Sequence, residues 1–184
     1  MIAPTHTAFD EVLTLIRAAV NDGDGWADTA QRVRDALHGR LPNPRCLPGH
    51  LAGAAVDRLA SRALHTEPNG AFSVVALECP PDGVTVIHDH VTWCVFAVLA
   101  GTLVEERFLL DESGGHLMPA GDAVCPAGTL TGGAPPGDIH RLANPTSGTA
   151  VSLHIYGTDV SRIDSSVRRT YDLPVLTPKR MELS

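Results

Sequence analysis

The sequence offers little to a nucleic-acid backbone. Its 14 Lys and Arg stand against 21 Asp and Glu, a formal net charge of −7, and the cations are scattered rather than clustered. Binding to phosphates by counterion release needs a basic surface, so nucleic acid is not an expected partner. Long apolar runs are also missing. No stretch reaches the roughly 20 residues of a membrane span, and the opening MIAPTHTAFDEVL lacks the basic start and apolar run of a signal peptide, so no membrane is expected and the location reads as cytoplasmic. The four cysteines, Cys46, Cys79, Cys94 and Cys125, make no CxxC pair, which argues against zinc ribbons and dithiol redox centres. Reduced thiols are expected, with Cys79 and Cys125 as core packing. There is no internal repeat and no long low-complexity tract. NDGDG has two glycines but no third at dinucleotide-loop spacing, and no GxSxG elbow surrounds Ser152.

What is present suits one domain: 184 residues with 43% hydrophobic content can bury a core. After Thr7, a cap candidate, Phe9, Leu13, Ile16 and Val20 recur at helical spacing, and a second helix runs from Trp26 to about His38 with Gly39 as its stop. A third, shorter helix is expected through LAGAAVDRLASRAL, residues 51–64. Beyond residue 70 the texture changes to short β-branched runs separated by Gly, Pro and Asp: FSVVALEC, VTVIHDH, TWCVFAVLAG, TLVEERFLL, DAVCPAGTL and AVSLHIYG. Six or more strands in about 90 residues predict a sandwich or barrel. The organisation is then a mostly helical segment over 1–65, a β-barrel over 70–157 and an irregular tail over 158–184 that wraps across the barrel.

Chemistry concentrates in the strands. Side chains alternate along a strand, so His88 and His90 of HDHVTWC share one face while Asp89 takes the other. Two imidazoles on one face suit a metal, and GDIHRLAN supplies a third candidate, His140. In AVSLHIYG, alternation gathers Ser152, His154 and Tyr156 on one face. That face is either solvated or an inward polar relay, since three polar side chains inside a barrel must hydrogen-bond one another or line a site.

These residues resemble the two cupin motifs: Gly83, His88, His90, Cys94 and Gly101 in the first, and Pro135, Pro136, Gly137, His140 and Asn144 in the second. The Glu that cupins commonly use as a fourth ligand is here Cys94. Three neutral imidazoles would leave a divalent iron its full charge and three open positions, whereas a structural metal is more often closed by a fourth protein ligand. Taken with SLHIY, residues 58 to 172 resemble the thiol dioxygenases, the cysteine dioxygenase family of cupins, bacterial branch.

The resemblance implies a cupin double-stranded β-helix, a jelly-roll barrel, holding Fe(II) on His88, His90 and His140. It implies a Ser152, His154, Tyr156 relay in which the other two orient the Tyr hydroxyl near the iron, and a Cys94–Tyr156 thioether as a hypothesis. Arg62 stands at the separation from HDH of the family's carboxylate-guiding Arg, and a guanidinium fork suits a carboxylate. The implied reaction takes a small carboxylate-bearing thiol, most simply L-cysteine, with O2 to its sulfinic acid. There are departures. Ala60 stands where the eukaryotic enzymes have a Tyr, Tyr156 continues as Gly-Thr-Asp, and the bacterial branch includes enzymes for 3-mercaptopropionate and related thiol acids. Arg168 and Arg169 offer a second cation at the barrel mouth or a surface salt bridge. Alternatives are another thiol acid as substrate, a non-catalytic metal-binding or sensing cupin, and a non-thiol dioxygenase on the same three histidines. A monomer is compatible with the sequence.

Overall fold

A computed structural model describes residues 8–20, 25–48, 57–163 and 165–176. Helices α1 (Ala8–Ala19) and α2 (Trp26–Leu37) lead in. They are followed by ten strands: β1 (Ala60–Thr66), β2 (Ser73–Cys79), β3 (His88–His90), β4 (Cys94–Ala100), β5 (Thr102–Leu110), β6 (Leu117–Pro126), β7 (Leu130–Gly133), β8 (His140–Ala143), β9 (Ala150–Tyr156) and β10 (Val167–Thr170), with a single helical turn, α3 (Val160–Ile163), before the last. All pairings between these strands are antiparallel and fall into two five-stranded sheets, ordered β1-β2-β9-β4-β7 and β10-β3-β8-β5-β6. The protein is mainly β, two antiparallel sheets of five strands each, in keeping with the sandwich or barrel that the spacing of the β-branched runs predicts.

The helices form because Phe9, Leu13, Ile16 and Val33, Leu37 lie on single faces, and those faces close the outer side of the first sheet against Val74, Ala76, Val95, Leu153 and Ile155. This layer explains why β9 is buried on both faces, which rules out a solvated reading of its polar side. Phe96, Val98, Leu103 and Leu142 plug the interior between the sheets, together with Cys79 and Cys125; all four cysteines are free, and those two do pack in the core. Ile87, Phe108, Leu117 and Ile139 form a third cluster on which Tyr171 and Leu173 of the tail rest.

Two expectations about elements need correction. Residues 60–64, expected as the end of a helix, are strand: Ala60 to Ala63 pair with Glu78 to Val75 of β2. Ala, Arg and Leu favour helix locally, but pairing to a sheet that otherwise ends in an open edge outweighs a propensity worth a few tenths of a kcal/mol per residue. Of the remainder of that expected helix, residues 57–59 are not helical and residues 51–56 lie outside the described residues, as do Thr7 and 21–24 of the NDGDG turn. The tail is also not wholly irregular, since β10 pairs antiparallel with β3.

Ile16 has no solvent exposure and sits where α1 meets the first sheet. Replacing it with Ala is expected to cost about 2–5 kcal/mol, read from the midpoint shift in urea denaturation.

Candidate metal centre

His88 and His90 flank Asp89 on β3, and His88 faces His140 directly across the β3–β8 pairing. The three rings enter the interior as a near-equilateral triangle, with centroids 4.9, 4.9 and 5.1 Å apart. All three are buried, and one nitrogen from each lies within 4.8 Å of the other two.

Which nitrogens converge follows from what holds the rings. Nδ1 of His88 meets the Val86 carbonyl at 2.8 Å, Nδ1 of His90 meets Asp138 Oδ2 at 3.1 Å, and Nδ1 of His140 meets Glu105 Oε1 at 3.0 Å. With every Nδ1 engaged, the Nε2 atoms are the ones left to share a cation, and outer partners of this kind fix tautomer and ring direction in metal sites. The donor set therefore fits a divalent metal, and this buried group could bind one.

Glu105 and Asp138 are the parts of the site that the sequence reading missed. Glu105 occupies an inward register position on β5, two residues after buried Leu103, and a charge in that phase was the available signal. Its carboxylate also receives Arg107 at 2.6 Å and the Thr131 hydroxyl at 3.2 Å. Burial raises its pKa, but the bonds from His140 and Arg107 outweigh that and hold it down at about 2. Asp138 precedes His140 by two residues in a turn whose Gly137 has φ +102°, a conformation that side chains with a Cβ rarely adopt. Its Oδ2 accepts the His90 backbone N–H at 2.9 Å as well as the ring, clamping strand and side chain together.

Burial dominates the histidines. It pushes His88 down to about 4, with His140 and His90 adding repulsion, and pushes His154 down to about 3, with the three site histidines contributing. For His90 burial works in the same direction, but the Cys94 sulfur and the Asp138 carboxylate prevail and hold it up at about 10.

The first sheet supplies the remaining expected residues. Cys94 and Tyr156 are direct cross-strand partners, as are Phe96 and His154, and Val98 and Ser152. The register is locked where the HDHVTWC turn meets the end of β9: the Gly157 N–H donates to the Trp93 carbonyl at 3.1 Å, and a Cβ at Gly157 would fall 2.0 Å from the Trp93 indole nitrogen. Ser152 Oγ and His154 Nε2 lie 3.0 Å apart, and His154 stacks on Phe96 at 5.5 Å. The expected relay is thus half built from hydrogen bonds. Tyr156 meets His154 through a ring contact at 6.0 Å, while its hydroxyl bonds with Ser166. Burial first, and Cys94 second, raise the Tyr156 pKa, so the phenol keeps its proton.

Arg62 is not where the family pattern places it. On β1, Ser61 and Ala63 line the cavity above the histidines; Arg62 takes the opposite phase, paired with Ala76 of the helix-covered face, and donates to the Pro48 carbonyl at 2.6 Å. Strand alternation is the reason: a strand, unlike the expected helix end, turns every second side chain away. Arg168 and Arg169 do not reach the cavity either. Both pair with Asp89, fully buried on the back of β3, where the Tyr171 hydroxyl donates at 2.7 Å. They are held by a buried carboxylate rather than by a surface acid. Asn144 of the second motif is structural: its amide donates to the carbonyls of Cys79, Pro80 and Gly148.

No family model matches the chain. Similar solved structures include a protein of Thermus thermophilus at 14% identity and TM-score 0.48, covering 64% of this chain and 96% of that one. A cupin superfamily protein of Desulfitobacterium hafniense is similar at 18% identity and TM-score 0.45, over 65% and 95% of the two chains. An oxalate oxidase solved with the substrate analogue glycolate is similar at 16% identity and TM-score 0.45, over 75% and 62%.

Asp138→Asn should keep the fold and weaken metal affinity about 10–100-fold, measured by competition with a chelator. Glu105 yields a pH test. Its folded pKa lies below the unfolded value near 4.5, so its stabilisation is present above pH 4.5 and lost as pH falls towards 2. The stability gap between the wild type and Glu105→Gln, read by chemical denaturation, is expected to shrink across that window.

Proposed function

We propose that this protein is a non-haem iron thiol dioxygenase, with His88, His90 and His140 as the metal ligands. The observation that carries the reading is the pairing of that three-histidine group with Cys94 and Tyr156, opposite one another in register beside His90. An iron(II) ion held on the three Nε2 atoms would supply the redox chemistry that adds both atoms of O2 to a thiolate sulfur.

The chain's own residues account for the rest. The substrate must lose its thiol proton, because the thiolate is the metal ligand. Protonated Tyr156 presents a neutral donor 5.6 Å, centroid to centroid, from the His90 ring. His154, neutral and bonded to Ser152, braces that phenol by stacking without adding a charge. The enclosing aliphatic side chains limit water around the reacting sulfur. Preference for L-cysteine or another thiol acid rested on Arg62, and its placement removes that support. The substrate class proposed is a small thiol.

Iron-reconstituted protein should consume O2 with a small thiol and yield a product heavier by two oxygen atoms. His88→Ala should abolish both iron binding and turnover. Tyr156→Phe should bind iron normally and lower kcat by about 10²-fold. Iron binding without O2 uptake across a thiol panel would sink the proposal.

A further inference from the structure

The cavity lined by His88 and His140 has a volume of about 380 Å³, within the range of pockets that enclose a whole small molecule. Its walls are aliphatic, with Val75, Leu77, Leu142 and Val167 prominent, and its outer part carries the hydroxyl residues Ser61, Thr85, Ser161 and Ser165. Among the described residues, no Lys, Arg, Asp or Glu lines it. The nearby guanidiniums are committed elsewhere: Arg107 to Glu105, Arg162 to Asp159, and Arg168 and Arg169 to Asp89. Arg62 leaves from the other face of β1.

A charge brought into such a space loses its hydration and gains no ion-pair partner among the described residues, which disfavours it strongly, whereas hydroxyl and aliphatic groups are matched by what is there. From this lining we infer that the site selects thiols whose remainder is uncharged, aliphatic or hydroxylated, over amino-acid and carboxylate thiols. The inference rests on the reading of the centre as a thiol site and names the substrate class within it. The thiolate is the one charge the substrate brings, and it faces the metal. Its tail lies against the aliphatic wall and ends among the serines.

Matched thiols isolate the charge. The cobalt(II)-loaded protein is titrated with 3-mercapto-1-propanol against 3-mercaptopropionate, and with 2-mercaptoethanol against 2-aminoethanethiol, following the thiolate-to-cobalt absorption. The iron-loaded protein is assayed with the same four, and with L-cysteine, for O2 uptake and product mass. The uncharged member of each pair is expected to bind about tenfold more tightly or better, and to show a kcat/KM higher by a similar factor. Equal or tighter binding of the charged members overturns the inference, and if O2 uptake accompanies it, the dioxygenase reading survives. The expected binding order with no doubly oxygenated product supports the inference and removes the dioxygenase. Absence of the absorption with every thiol overturns both.

Discussion

Three imidazoles within about 5 Å of one another, taken out of water, are the constraint on which this structure turns. Left to themselves they would rotate, protonate or collapse onto the apolar interior. Each is held instead by its outer nitrogen: one by a backbone carbonyl, two by buried carboxylates. The carboxylates must be satisfied in turn, because a buried ion without partners is far more costly than the pair it could make. Glu105 is met by Arg107 and Thr131, and Asp138 by both the ring and the backbone of His90. The histidine face is thus the inner end of a polar network whose outer end reaches solvent through Arg107, half-exposed on the surface.

The same accounting explains the tail. A strand that aims two histidines inward must aim its middle residue outward, and that residue is an aspartate with no exposure. β10 lies beside β3 in the same sheet, and with it come Arg168, Arg169 and Tyr171. A three-residue strand has few backbone bonds of its own; flanked by β8 and β10, and clamped front and back by aspartate contacts, it is held on all sides. The arginines that look available for substrate in the sequence are spent on this task.

With Arg107, Arg162, Arg168 and Arg169 committed to carboxylates, the cavity is left to aliphatic and hydroxyl side chains, and among the described residues the ionisable groups that line it are histidines and Tyr156. His154 and Tyr156 both stay neutral near pH 7, the first through depression and the second through elevation of its pKa by the same burial. The centre therefore works with oriented neutral dipoles around one cation position, an arrangement whose influence grows as water is excluded.

Residue order alone was enough for the mainly β class of fold and for the three histidines that could hold a metal. Apolar periodicity and turn residues mark α1, α2 and most strands, and period-two alternation is enough to put His88 with His90 and Ser152 with His154 and Tyr156. These are local properties, set within a few residues along the chain. Which strands meet was settled by the folded chain as a whole. β1 is strand because it pairs with β2, against the helical leaning of its residues, and that pairing turns Arg62 away from the site that sequence separation alone would give it. Glu105 reaches His140 across 35 residues, and Asp89 meets Tyr171 across 82, contacts that no local pattern encodes. The direction of a side chain is a matter of phase along a strand, but what it finds there depends on which strand has been laid opposite.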